Sequence, residues 1–430
     1  MLAMETDRRA LKGGWPSIAA AQLVVIGVLA AWFAFGWKPA PISDWLLYWN
    51  TAGSPDRYER GGLGLWLLAL PKSLGAPAHA ASFMLNLLAA TCLCAVAYRA
   101  DRTRWRLFAQ TVMGYLLLVT PYFGIVQLDL LGTAALVGGV WLLFESVERN
   151  RVRGVHFGCA LLALTLAVST RPQFALILWA LVGLIGVAML VWRQWRTRRL
   201  ALIAAGLLLG SVVGFCVDMG LRQISGRTEQ IRTSSAVTLY AGLLVSSDRR
   251  DQGCGYWSVE AGQAAREDLH MSMWDAANAR LAARPPEHWA RVLLCKAPQI
   301  VSPPAYALYW FAEAPNLAEW RNQHPDRVDV ERFQARAYAV ERRLYRALGM
   351  IILLVALATA IRAARARRWD APLLLAGWIT AFWAVHMVFE IQGRYFIGFY
   401  LMLPVLCAML WSRRAIGSAR RGGRQGATLS

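Results

Sequence analysis

The sequence predicts an all-α polytopic membrane protein of about ten transmembrane helices, and three observations carry that reading. Apolar residues make up 57% of the 430-residue chain, gathered in blocks of roughly 16–22 residues, the length at which a helix crosses a bilayer. Charged residues are only 17% of the total, against about 25% in a soluble domain. Every second linker between the apolar blocks is crowded with arginine, as orientation in a membrane requires.

The blocks lie at 17–38, 80–98, 107–123, 130–147, 157–170, 174–192, 200–218, 347–361, 371–389 and 396–411. The first follows Arg8, Arg9 and Lys12 and is longer than the core of a secretory signal, so it reads as a retained span. The arginine-rich linkers are 99–106, 148–156, 193–199 and 362–370, with a basic tail over 413–430. They are expected to be cytoplasmic, together with both termini. Residues 297–312 (APQIVSPPAYALYWFA) are apolar but short and carry three prolines. A span there would put Arg362–Arg368 outside, so the segment is read as re-entrant or interfacial. The predicted organisation is then an amino-terminal transmembrane module (1–218) with an outer loop at 39–79, and an extracytoplasmic cap (219–346). The carboxy-terminal helices (347–412) and the tail follow. Short helices are expected in the cap near 273–284, 286–296 and 328–346, the first two parted by Pro285-Pro286.

The formal charge of +20 does not imply nucleic acid. Counted with the span ends that adjoin them, the inner segments hold 23 Lys+Arg and 6 Asp+Glu, and the outer segments 23 and 20. The excess is a membrane orientation signal, not a binding stripe. Five of the seven cysteines lie in or near apolar blocks and read as small buried residues. Cys254 and Cys295 share the cap, and the sequence leaves open whether they pair. No zinc-ligand spacing is present.

Candidate chemistry collects on the outer side. Asp44 follows the first span in PAPISDWLLYWNTA, beside Trp45, Tyr48 and Trp49. A carboxylate so placed can act as a general base on a hydroxyl, or it is a solvated loop residue. Asp129, in YFGIVQLDLLG, either faces a polar cavity or is a helix-start carboxylate favoured by the dipole. Arg171 (STRPQF) and Arg394 (EIQGRYF) stand at outer span ends, where a guanidinium fork suits a lipid-linked phosphate. The alternative for Arg394 is a structural pair with Glu390. Lys296 meets a phosphate or anchors the cap at the headgroups, and His386 reads as a buried, hydrogen-bonded histidine. GGLG is too weak a signal for a nucleotide site.

Together, SDWLLYWNTA, TRPQ and EIQGRYF resemble motifs of the GT-C superfamily of membrane glycosyltransferases. The similarity is greatest to bacterial members related to protein O-mannosyltransferases and the lipid A aminoarabinose transferase. The stretch LYAGLLVSSDRRDQGCGYWSVEAGQAAREDL, followed by LLCKAPQIVSPPAYALYW, is similar to the outer loop of many bacterial members. The chain departs from the family pattern where an Asp-Glu or Asp-x-Asp pair is common: Trp45 follows Asp44, so a divalent metal is left open and no cofactor is certain. Leu243-Leu244 stands where Asn is typical.

The resemblance implies transfer of a sugar from a polyprenyl-phosphate donor to a glycan, lipid or protein acceptor, with Asp44 as the catalytic base. Arg171, Lys296 and Arg394 would meet the phosphate, and Asp129 and Glu390 would position hydroxyls. Tyr48, Arg57 and Tyr395 complete the expected donor-binding set. The Arg- and Ala-rich composition suits a bacterial inner membrane, where the carrier would be undecaprenyl phosphate and the site would face the periplasm. Two other functions share these features. A flippase or transporter for a lipid-linked glycan needs broken spans in matching halves and a midplane site, whereas a glycan polymerase or ligase needs no aspartate in the first loop.

Overall fold

The structure, a computed structural model, describes residues 18–41, 44–100, 105–148, 151–192, 197–249, 253–301, 322–323, 330–366 and 370–425. The basic amino terminus, part of each of several arginine linkers and residues 302–312 of the expected re-entrant segment lie outside the described residues.

The chain is an all-α polytopic membrane protein. Among the described residues, eight helices are long and apolar enough to cross a bilayer: Ile18–Trp37, Ala78–Ala100, Asp129–Ser146, Gln173–Val191, Arg198–Ile224, Ala335–Arg365, Ala371–Val388 and Gly393–Leu410. Two expected spans are shorter than that. Phe108–Leu118 stops early because Thr120 and Pro121 open a one-turn 3-10 helix, Thr120–Gly124, and Gly154–Thr170 falls just below spanning length. We label the elements α1 (Ile18–Trp37), α2 (Asp44–Thr51), α3 (Gly62–Ser73), α4 (Ala78–Ala100), α5 (Trp105–Leu118), α6 (Asp129–Ser146), α7 (Gly154–Thr170), α8 (Gln173–Val191) and α9 (Arg198–Ile224). The cap begins with α10 (Thr228–Leu239), α11 (Val259–Glu267), α12 (Met273–Ala282) and α13 (Pro286–Lys296). Last come α14 (Val330–Arg365), α15 (Asp370–Val388) and α16 (Phe396–Gln425). A two-stranded ribbon, Val147–Glu148 (β1) with Arg151–Val152 (β2), turns the chain between α6 and α7.

Packing follows side-chain size. Helices α6, α7 and α9 meet where Gly139, Gly206, Gly210 and Gly214 leave no room for a Cβ against Leu143, Leu164, Thr165 and Val168. Close approach through small residues is how helices associate when lipid offers no hydrophobic contrast. The apolar window at the start of α16 is 94% buried, whereas that of α1 is 17% buried. The last helix is therefore the axle of the bundle and the first its rim. Gly349 of α14 admits the ring of Tyr400 from α16.

The cap contains the expected helices at Met273–Ala282 and Pro286–Lys296. The third expected cap helix is not separate. Residues Val330–Arg365 form one continuous helix of 36 residues, because no proline stands between its charged first half and its apolar second half and the lone Gly349 is too weak to break it. On α13, His288, Val292 and Lys296 turn inward while Leu293 and Leu294 face outward.

Candidate functional site

Asp44 opens α2 and carries the centre of the site. Its two carboxylate oxygens are taken by different guanidinium groups: Arg60 Nη2 lies 2.6 Å from Oδ1, and Arg394 Nη1 lies 2.6 Å from Oδ2. The side chain is 17% exposed. Burial alone would favour the neutral acid, but Arg60 and Arg394 outweigh it and hold the pKa well below the usual carboxylate range.

Arg60 is delivered by a turn. Gly61 has φ 80°, a left-handed conformation that glycine adopts without strain, and it caps α3. Gly62 N donates to Asp218 Oδ1 and Leu63 N to Ser169 Oγ, so the turn is pinned to α9 and α7.

A third arginine is fixed beside Arg60 and Arg394. Arg171, between α7 and α8, ion-pairs with Asp129 and donates to Tyr48 Oη at 3.0 Å and Gln127 Oε1 at 3.2 Å. Its stem passes Gly132, where a Cβ would come to 3.0 Å. Asp129 is the first residue of α6, the end at which the helix dipole favours a carboxylate, and it is buried. Gln127 Oε1 also accepts from Arg394 Nη1 at 2.9 Å. One amide oxygen thus links the Arg171–Asp129 pair to the Asp44–Arg394 pair. The Tyr48 ring lies 5.6 Å from both Arg60 Cζ and Arg171 Cζ, and Tyr395 lies 5.4 Å from Arg394 Cζ, distances suited to cation–π attraction.

Glu390 completes the cluster from the α15–α16 connection. It accepts from Gln392 and from Tyr395 Oη (3.3 Å), and burial raises its pKa above the ordinary value. His386 Nδ1 lies 3.0 Å from the Glu390 carbonyl oxygen, and its ring stacks on Tyr395; it is the buried, hydrogen-bonded histidine that the sequence suggested.

Lys296 stands elsewhere. It is fully buried, and its Nζ donates to the carbonyl oxygens of Gly242, Met387 and Phe389. Burial draws its pKa down to about 7, with Glu390 acting against that shift. Two backbone bonds run alongside, from Glu390 N to Thr238 O and from Ile391 N to Gly255 O, each 2.7 Å. Cys254 and Cys295, the neighbours of Gly255 and Lys296, form a disulfide. The result is a strap from the cap across the connection that carries Glu390 and Arg394. Arg57 is also apart, at the surface beside Asp56.

Asp44, Tyr48, Asp129, Arg171, Glu390, Arg394 and Tyr395 therefore meet at one end of the bundle, and Lys296 and Arg57 do not join them. Arg60 and Gln127 were missed by sequence reasoning. The signal for Gln127 was a lone amide in an apolar run two residues before Asp129. For Arg60 it was the Gly61-Gly62 turn, which Arg57 lacks. Among the described residues no group of three or more His, Cys, Asp and Glu side chains is placed to hold a metal ion. Chemically, the cluster offers three guanidinium groups, whose fixed donors suit phosphate oxygens, around a carboxylate able to take a proton.

Comparison with protein-family models, with curated proteins and with solved structures returns no match.

Proposed function

We propose that this chain is a membrane glycosyltransferase of GT-C type that moves a sugar from a polyprenyl-phosphate carrier to an acceptor hydroxyl on the outer face. One observation carries the proposal: a carboxylate bridged by two arginines, with a third arginine linked through Gln127, where the outer loops of the predicted topology converge.

In the reaction, the acceptor oxygen attacks the anomeric carbon and its proton passes to Asp44. The bond from that carbon to the phosphate oxygen breaks, and polyprenyl phosphate leaves with the electron pair. A phosphate leaving group needs no strong acid; fixed cationic donors that meet its growing charge suffice. Arg60, Arg171 and Arg394 supply those donors, and a single displacement inverts the anomeric centre. Tyr48 and Tyr395 hold the arginines by their ring faces, and Glu390 is placed for a sugar hydroxyl. Lys296, spent on backbone carbonyls, positions the connection and does not touch the phosphate.

The Cys254–Cys295 disulfide supports the outer location, because such bonds persist in oxidising compartments. Ten spans with both termini inside, in a bacterial inner membrane with undecaprenyl phosphate as carrier, is the arrangement that agrees with the arginine linkers. The acceptor class, whether glycan, lipid or protein, belongs to the cap. The test is transfer of radiolabelled hexose from undecaprenyl-phosphate hexoses to endogenous acceptors in oriented membrane vesicles. Wild type should label an acceptor and Asp44→Asn should not; equal labelling by both would remove Asp44 as the base.

A further inference from the structure

A base gripped by two arginines poses a chemical difficulty. Each oxygen of Asp44 already accepts a charge-assisted hydrogen bond at 2.6 Å, and the pair keeps the carboxylate a far weaker base than a free one. Brønsted behaviour makes such a group slow to take a hydroxyl proton. In the state described, Asp44 is not ready to act.

The same geometry suggests how it becomes ready. The two oxygens of Asp44 divide between two guanidinium groups as two oxygens of a phosphate would. The partners differ in how firmly they are held. Arg171 is buried and committed to Asp129, Tyr48 and Gln127. Arg394 is buried and anchored by Gln127 Oε1 and the Tyr395 face. Asp44, in contrast, is the first residue of an eight-residue helix, and it and Arg60 are the more exposed side chains of the cluster. Arg171 and Arg394 are thus held on several sides, and the Asp44 carboxylate, with the more open Arg60 on its other oxygen, is the anion placed to swing out of the cluster.

We infer that Asp44 occupies the phosphate subsite as an internal anion, and that the donor's phosphate displaces it from Arg60 and Arg394. This rests on the function proposed above and adds an order of events. Donor binding exchanges one anion for another between the arginines and releases Asp44 beside the anomeric carbon. Only then is the carboxylate a competent base. Without donor the arginines stay neutralised, so the buried cluster is not left as an unpaired set of cations, which would be costly. The chain thereby couples deprotonation of the acceptor to the presence of a sugar carrier.

Binding of undecaprenyl phosphate to purified, detergent-solubilised full-length protein tests the inference. Asp44→Asn removes the competing anion and should bind it at least ten-fold more tightly than wild type, while Arg60→Gln and Arg394→Gln should bind it at least ten-fold more weakly. Loss of a negative charge nearby could also tighten binding without displacement, so a cryo-microscopy structure of the wild-type complex is the second readout. It should show phosphate between Arg60 and Arg394, with Asp44 beyond hydrogen-bond distance of both. Intact Asp44–Arg60 and Asp44–Arg394 pairs in that complex, or an Asp44→Asn affinity no higher than wild type, overturn the inference. If wild type transfers sugar yet either result is found, only the displacement fails. If neither protein binds undecaprenyl phosphate and wild type transfers nothing, the proposed function falls with it. Thermal unfolding of each variant separates a lost contact from a lost fold, and Arg394→Lys, which keeps the charge, should weaken binding less than Arg394→Gln.

Discussion

Cys254 and Cys295 are joined by a disulfide whose two neighbours, Gly255 and Lys296, both hold the 387–391 segment: Gly255 O accepts from Ile391 N, and Lys296 Nζ donates to Met387 O and Phe389 O. A covalent bond in the cap is thus one hydrogen bond away from the backbone that carries Glu390 and Arg394. The cysteines are 41 residues apart, and closing a loop of that length is worth ~3–4 kcal/mol on the chain-entropy model. Cys254→Ser with Cys295→Ser should lower the stability of the cap by that order. Hydrogen exchange at Ile391 and Phe389 should rise with it, and unchanged exchange there would detach the strap from the disulfide.

The strap also makes Gly242 intolerant of any side chain. A Cβ there would stand 2.1 Å from Phe389 C and 2.5 Å from Glu390 N, and backbone atoms cannot step aside as a flexible side chain can. Gly242→Ala should therefore destabilise the protein by about 2 kcal/mol or more, as overpacking does. Gly220→Ala, where nothing lies within 4 Å of the added carbon, should unfold at the wild-type temperature or above it. Equal melting temperatures for Gly242→Ala and wild type would contradict the close approach.

Asp129 and Arg171 form a buried pair whose members depend on each other. Removing one partner leaves the other charge without compensation, at a cost of roughly 3–5 kcal/mol. Arg171→Met and Asp129→Leu should each destabilise by about that much, and the double variant by clearly less than their sum. A double-mutant cycle on thermal unfolding measures the coupling, and simple additivity would remove the pair from the account of stability.

Two carboxyl groups should give stability opposite slopes with pH. Glu390 has its pKa raised by burial above the ordinary 4.5, so between that value and its own pKa the native state binds a proton that the unfolded chain does not. Stability therefore falls as pH rises through that window. Asp44 has its pKa lowered from 3.8, so its contribution is complete above 3.8 and is lost as pH falls below that. Below pH 7, before the lowered pKa of Lys296 adds a rising contribution, melting temperature should pass through a maximum in mildly acid solution, and Glu390→Gln should flatten the limb on its alkaline side. An alkaline limb unchanged in Glu390→Gln would dissociate it from Glu390.

Much of this fold is legible in sequence because bilayer spans write themselves in long apolar runs. The boundaries that failed did so locally. Pro121 ended α5 early, and an unbroken helix joined the charged stretch before 346 to the span after it. Within the site, Asp44, Arg171 and Arg394 stood out because charge at the end of an apolar run is expensive and needs a reason. Their pairing did not. Which arginine meets Asp44 depends on a turn at Gly61, and what Lys296 does depends on three backbone carbonyls that no residue type announces.

Sidedness has its own measurement. Asp56 is exposed in the 39–79 loop, and Arg365 is exposed at the end of α14. With the native free cysteines replaced, a cysteine at 56 should react with an impermeant maleimide from the outer side and one at 365 only after permeabilisation. Labelling of both from the same side would dismantle the proposed topology.

Arg394 reaches Asp44 and Gln127 from the threshold of the final, most deeply enclosed helix. During synthesis those two side chains must wait for a guanidinium almost 270 residues further along than Gln127, since the sequence separation is 267. A ribosome-stalled or truncated product ending before residue 390 would hold both polar groups short of their last partner. The pairs Asp44–Arg60 and Asp129–Arg171 can form earlier, so the closing step of the site is the bridge that Arg394 makes between them.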